Sequence, residues 1–215
     1  MVADKRQVEL LEKSKPRQER AKRTYEAILN STAELLIEVG VERISTNLIA
    51  ERAGITVPAL YRYFPNKYAV LNALGAVLMD RQNGAFQQWF EQHGDINTAQ
   101  ELLDTVYDLL KRTYDVTLDM TGGLEVSQAL RAVAPLQELR LMSHRLVAEE
   151  LALFLAEMVG RPVDEAMSLT TRMTIDVGYG VIEMALEDST VPSEEVLVQG
   201  AHMLRIYWAD FLQNG

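Results

Sequence analysis

At 215 residues, with 48% hydrophobic and 24% charged side chains, the chain is long enough for one or two packed domains and too apolar to belong to the disordered class. It contains no cysteine, which removes disulfides, thiolate nucleophiles and cysteine-ligated metals together. No apolar run reaches the roughly eighteen residues of a membrane span and the N-terminus carries no apolar stretch, so neither a span nor a signal peptide is predicted and a cytoplasmic location is expected. The formal net charge of −10 argues against a polyanionic partner until its distribution is considered. Residues 1–70 hold 12 basic and 9 acidic side chains, a net of +3, which leaves 9 basic and 22 acidic ones, a net of −13, for residues 71–215. Polyanion binding responds to local potential, screened over about 8–10 Å at physiological salt, so the basic end remains open to nucleic acid.

Residues 1–16 are polar and charged up to Lys15-Pro16, with Val8, Leu10 and Leu11 as their apolar cluster, and are predicted to form a flexible arm. Lys15, Arg17, Arg20, Lys22 and Arg23 gather where the first long helix begins, either to reach phosphates or a minor groove or to stand as a solvated helix start. Tyr25, Ile28, Leu29, Thr32, Leu36 and Val39 then recur with helical spacing until Gly40 ends the segment.

The stretch from Ser45 to Lys67 reads as two short helices joined by one tight turn, a geometry that enters the DNA major groove. Ser45 or Thr46 caps a helix that turns Leu48, Ile49 and Ala53 inward, and Ala50 presents only a methyl group where a second helix crosses. Gly54 supplies the positive φ that a sharp helix-to-helix reversal demands. Thr56 is placed to cap the second helix, and Pro58 falls in its first turn, where a missing amide hydrogen costs nothing. Leu60 and Phe64, four apart, face the core, which leaves Val57, Pro58, Ala59 and Arg62 outside and Tyr61 and Tyr63 on the flanks. Pro65 stops this helix, and a further one restarts at Asn66 with Lys67 near its positive end.

The pattern Thr46-x-x-Ile49-Ala50-x-x-Ala53-Gly54-Ile55-Thr56-x-x-x-Leu60-Tyr61-x-Tyr63-Phe64-x-Asn66-Lys67 resembles the DNA-binding signature of the TetR family of transcriptional repressors. The likeness covers about residues 17–78; beyond them only length and helical rhythm agree. It implies an all-α, nine-helix, two-domain architecture: a flexible arm (1–16), a three-helix DNA-binding domain (17–66) and a six-helix ligand-binding and dimerisation domain (67–215). It also implies that Thr46, Tyr61, Tyr63 and Lys67 hold phosphates. For the two tyrosines the alternative is simple packing, and for Lys67 a solvated charge. Base edges would meet Val57, Pro58 and Ala59, which can touch thymine methyls but make no bidentate hydrogen bonds; Arg62 can fork onto guanine, and Thr56 or Asn47 can add a hydrogen bond.

Apolar positions from Tyr68 to Phe90 support a long fourth helix ending near His93-Gly94-Asp95. A fifth, capped by Asn97 or Thr98, runs through Leu102 to Tyr114, and Thr121-Gly122-Gly123 breaks the chain before a short sixth. Pro135 precedes a seventh that Gly160-Arg161-Pro162 terminates; Asp164 caps an eighth, and Pro192-Ser193 opens a ninth. With no hinge-like linker, the fourth helix is expected to be shared by both domains. Phe86, Phe90, Tyr107, Tyr114, Met142 and Met173, beside Trp89, are candidates to line an adaptable apolar effector cavity, although such residues also build cores. Arg131, His144, Arg145 and Arg172 could meet an anionic head group or lie at the surface, so a hydrophobic and even acidic small molecule is expected. One motif reads half a palindromic operator, so a homodimer is expected. Its interface candidates are Met173, Val177, Val181 and Met184 on the eighth helix and Val196, Leu197, Ala201, Leu204, Trp208 and Leu212 on the ninth, with Gly178 and Gly180 either allowing close approach or loosening a turn beside a pocket.

His93, His144 and His202 are dispersed, and no H-E-x-x-H, phosphate-binding glycine loop or nucleophile elbow is present, so neither catalysis nor a metal or other cofactor is expected. The expected partners are double-stranded operator DNA, a small-molecule effector and a second copy of the chain, with no membrane. A helical adaptor whose motif merely stacks helices is the alternative, which salt-sensitive, sequence-selective DNA retention would separate from a regulator.

Overall fold

The computed structural model describes residues 9–13, 18–96 and 98–214, apart from the side chains of 99, 210 and 212–214. Val8, Lys15, Arg17, Asn97 and the Leu212 side chain therefore lie outside the described residues. Among the described residues there are no strands and ten α-helices: α1 (Glu19–Arg43), α2 (Thr46–Arg52), α3 (Val57–Leu60), α4 (Lys67–His93), α5 (Ala99–Asp104), α6 (Val106–Leu118), α7 (Gly123–Ala132), α8 (Gln137–Val159), α9 (Glu165–Glu187) and α10 (Ser193–Asn214). A 3-10 turn, Ala134–Leu136, precedes α8. Only Thr105 separates α5 from α6, its hydroxyl donating to the Leu102 carbonyl at 2.7 Å, so the two together are the single expected fifth helix and the total is nine.

The helix ends follow the local chemistry. Gly40, at φ 71° and expected to end the first helix, kinks α1, which runs on to Arg43. Thr98 and Glu101 form a reciprocal capping box at the start of α5, and Asp164 accepts the Met167 amide at 2.7 Å to open α9.

The described chain divides into two compact units. One comprises the described residues up to Leu78 together with Met120–Arg140; the other comprises Met79–Asp119 with the residues from Leu141 onward. These extents differ from the expected domains 17–66 and 67–215. Ala69, Val70, Leu71 and Leu74 at the start of α4 are buried in the first unit, and α7 lies along α1. The first core buries Ile28, Leu36, Ile44, Ile49, Leu60 and Phe64, with the Tyr25 ring 5.3 Å from that of Phe64. The second unit buries Phe86, Trp89, Leu151, Phe154, Met167 and Trp208 in one cluster and Leu110, Ile182, Leu197, Ala201 and Leu204 in another. No helix of the described residues is long and apolar enough to cross a membrane.

Candidate functional site

Each bend between α1 and α4 has an identifiable cause. Ser45 Oγ accepts the Leu48 amide at 3.3 Å, so Ser45 caps α2 and Thr46 is its first residue. Ile49 and Ala50 are buried, while Leu48, expected inward, is 36% exposed. The chain reverses at Gly54, φ 66°, where the Ile55 amide donates to Ala50 O at 3.0 Å; a side chain would be strained there. Thr56 Oγ1 then accepts the Ala59 amide at 3.3 Å, and Pro58 occupies the first turn of α3. Arg52 forks onto Glu38 (2.8 and 2.5 Å) and reaches Glu34 at 3.4 Å, tying α2 to α1. The hydrogen bond from Arg52 holds the Glu38 carboxyl below its usual range.

The geometry presents Asn47, Thr56, Pro58, Tyr61 and Arg62 as exposed side chains and half-buries Thr46, Val57, Ala59 and Tyr63, while Leu60 and Phe64 are fully buried. Thr46 Oγ1 and the Tyr61 hydroxyl lie 3.2 Å apart. Tyr63 packs edge-on against Tyr25 at 6.4 Å. Arg20 and Arg23, both exposed, line a shallow groove with Ala53 and Ile55, so the basic start of α1 flanks the turn.

Lys67, expected on a phosphate or as a solvated charge, donates from Nζ to Ile44 O at 3.1 Å and Val41 O at 3.5 Å, carbonyls at the end of α1 that lack helical partners. Residues 9–13, assigned to a flexible arm, are tethered. The Lys13 amide donates to Tyr63 O at 2.8 Å, Asn66 Nδ2 donates to Glu9 O at 2.9 Å, and burial together with Glu12 pushes the Tyr25 hydroxyl well above its ordinary range.

The second unit holds an apolar cavity in which the centre of a water-sized sphere ranges over about 80 Å³, room for several waters or a small molecule. Gln82, Phe86, Trp89, Leu103, Leu151, Tyr179 and Trp208 are among its walls. Of the six effector candidates only Phe86 lines it. Phe90 packs on Phe154 at 5.1 Å. Tyr107 donates to Glu194 at 2.6 Å, a bond that with burial pushes its hydroxyl up to about 12, and Tyr114 sits beneath the Lys111 ammonium at 5.7 Å. Met142 and Met173 are 60% and 44% exposed. Residue type made these six attractive, whereas helical phase decides which way a side chain points; the stripe 82, 86, 89 on α4 was the usable signal.

None of Arg131, His144, Arg145 and Arg172 lines the cavity. His144 is buried behind Tyr179, the rings stacked at 4.1 Å, with Nδ1 2.6 Å from Asp176, to which Arg172 Nε donates at 2.8 Å. Burial raises the Asp176 carboxyl, but hydrogen bonds and charges from His144 and Arg172 outweigh it and hold the group below its ordinary value.

The interface candidates also divide. Met173, Val177 and Met184 are exposed on α9, as is Leu169. Val196, Leu197, Ala201, Leu204 and Trp208 are at most 7% exposed, and Val181 packs on Gly200 of α10. The first five are core of a single chain and Val181 is partly buried beside them, because α9 and α10 must bury a stripe against one another before either can offer a face outward. Gly178 meets Leu110 and lines the cavity, whereas Gly180 faces open space.

Residues 28–74 match the family model described as bacterial regulatory proteins, tetR family. The chain is 44% identical over 54 residues to the tetracycline repressor protein class C of Escherichia coli, covering 25% of each chain. It is 29% identical over 89 residues to the nucleoid occlusion factor SlmA of Haemophilus influenzae, covering 40% of this chain and 39% of that one. The matched stretches thus span well under half of these relatives' lengths. Among solved structures, a TetR-family transcriptional regulator from Streptomyces coelicolor superposes with a TM-score of 0.54 at 24% identity, covering 86% of this chain and 98% of that one, a likeness of fold.

Proposed function

The chain belongs to the tetR family of bacterial regulatory proteins, and on that premise we propose that it is a ligand-responsive repressor that binds a palindromic operator as a homodimer. The observation that carries this reading is the exposure of Pro58 on α3 and of Arg62 in the turn just past it, while Leu60 at the end of α3 and Phe64 beyond that turn are fully buried. A short rod so anchored offers Arg62 to guanine and Val57, Pro58 and Ala59 to thymine methyls, with Asn47 and Thr56 beside them. Arg20 and Arg23, next to the turn, and the Thr46 and Tyr61 hydroxyls are placed for phosphates.

Two such heads must sit roughly 34–36 Å apart on one face of the duplex, which calls for a second copy. The exposed apolar residues Leu169, Met173, Val177 and Met184 of α9, with Val198 and Ile206 of α10, support pairing through this face. The cavity of the second unit supports a small apolar effector. A ligand that prefers the shape with misaligned heads, by about 1–3 kcal/mol, would weaken operator binding roughly 5- to 150-fold.

Selection of duplexes from a random library by the purified protein tests the reading. A two-fold symmetric sequence should be enriched, and Arg62→Ala should lose preference at one base position per half-site. No enrichment would overturn DNA recognition, and a monomer at micromolar concentration by light scattering would overturn pairing.

A further inference from the structure

We propose that the cavity of the second unit takes an elongated, electrically neutral ligand with a hydrogen-bond donor at one end, an acceptor at the other and an apolar body between them. This rests on the reading of that cavity as the effector site and deepens it. Among the described residues, no charged side chain lines the cavity. An ion entering it would lose its hydration without a counter-charge, at a cost that apolar contacts do not recover. The His144–Asp176–Arg172 cluster stands behind the Tyr179 ring and is already paired.

The polar atoms of the wall are mostly committed. Thr113 and Thr174 donate their hydroxyls to Leu109 O and Thr170 O of their own helices, at 2.9 and 2.8 Å. Gln82 and Trp89, each only 2% exposed, differ: neither Gln82 Oε1 nor Trp89 Nε1 has a hydrogen-bond partner among the described residues. The orientation of the Gln82 amide follows from its neighbours. Thr117 spends its hydroxyl proton on Thr113 O at 2.7 Å, so toward Gln82 it can only accept, and it takes the amide Nε2–H at 2.9 Å. Gln82 Oε1 is left as a buried acceptor and Trp89 Nε1–H as a buried donor. A buried polar group without a partner is costly, and a ligand that satisfies it recovers that cost.

Gln82 and Trp89 are seven residues apart on α4, two turns along one face, or about 10 Å of helix axis, with Phe86 between them. The ligand must therefore bring an O–H or N–H group to Gln82, a carbonyl or ether oxygen to Trp89, and an apolar midsection to Phe86. This chemistry replaces the acidic head group expected from the cationic residues of the distal helices.

A matched set of small molecules tests the proposal on the intact protein: para-hydroxybenzylacetone (donor and acceptor), para-butylphenol (donor alone), benzylacetone (acceptor alone) and para-hydroxyphenylpropanoate (donor with an anionic acceptor). Binding is read by calorimetry and by tryptophan fluorescence, since Trp89 and Trp208, the only two tryptophans of the chain, both line the cavity. The hydroxyketone should bind most tightly, each one-group analogue about tenfold more weakly, and the carboxylate least of all. Gln82→Met should erase the advantage of the phenol hydroxyl, and Trp89→Phe that of the ketone, with Trp208 still reporting. Equal binding of the hydroxyketone and its one-group analogues, or binding of the carboxylate as tight as the ketone, would overturn the polar pairing while leaving the cavity a ligand site. No heat and no fluorescence change with any of the four at millimolar concentration would overturn the site itself. The wild-type series decides the matter even if a variant fails to fold.

Discussion

Thr46, the first residue of α2, and Tyr61, just past α3, bring their hydroxyl oxygens to 3.2 Å on the exposed side of the motif. The pair joins the two short helices at the ends remote from the Gly54 turn, and either hydroxyl can point its proton outward. Because the contact is solvated, Tyr61→Phe should cost less than about 1 kcal/mol of stability. DNA affinity should nonetheless fall several-fold, since a phosphate donor is removed. Thermal unfolding and fluorescence anisotropy measured on the same preparations check this; unchanged affinity would remove Tyr61 from the interface.

Lys67 should act chiefly by holding the end of α1. With its ammonium donating to Ile44 O and Val41 O, Lys67→Ala should lower stability by about 1–2 kcal/mol and weaken binding to every duplex alike. The slope of log affinity against log salt should stay the same, because no phosphate contact is lost. A slope reduced by about one counterion would instead place the ammonium on a phosphate.

Gly200 and Val181 mark a close crossing of α10 and α9 in the second unit. A Cβ at 200 would run into both methyls of Val181 and lie 3.1 Å from its Cβ, which no rotation of the side chain relieves. Although alanine favours helix, Gly200→Ala should destabilise by about 1–3 kcal/mol, and adding Val181→Ala should recover most of the loss. Denaturant unfolding of the single and double variants reads the coupling; additive effects would contradict the packing.

The Asp176 carboxylate should make stability acid-sensitive. Its folded pKa lies below the ordinary value, so near that value the unfolded chain binds more protons and stability rises with pH. The contribution is complete above the ordinary aspartate range and disappears as pH falls through the lower folded value. Asp176→Asn should therefore be less stable than the parent near neutral pH and converge with it in acid. Melting temperatures that differ by the same amount at about pH 7 and about pH 3 would refute this role.

The caps and the turn between α1 and α4 were legible in the sequence to the level of single residues, Leu48 excepted. Ser45, Gly54, Thr56 and Pro58 act through their immediate neighbours, and Leu60 and Phe64 follow from a spacing of four, so their places needed no knowledge of the rest of the chain. Lys67 was harder: its attraction to an anion was evident, but the nearest negative potential belongs to carbonyls more than twenty residues earlier. The distal helices could be bounded from their caps and breaks, yet their faces could not be assigned. In α9 and α10 about half of the side chains are apolar, more than one stripe can hold, so Leu204 and Trp208, expected at an interface, are buried within the chain while Leu169 and Ile206 are exposed.

What the sequence determined by itself was therefore what is governed by interactions within one or two turns: the helix caps, the sharp reversal at Gly54, the basic and acidic halves, and the motif that resembles the family's signature. Only the tertiary structure decided which apolar stripe is buried within the chain, that Gln82 and Trp89 of the cavity wall each keep a buried polar atom without a partner among the described residues, and that Lys67 turns toward the end of α1. The reason is physical. Hydrophobic burial is non-directional and rewards any apolar face alike, so the choice among faces belongs to the packing of helices distant in the chain.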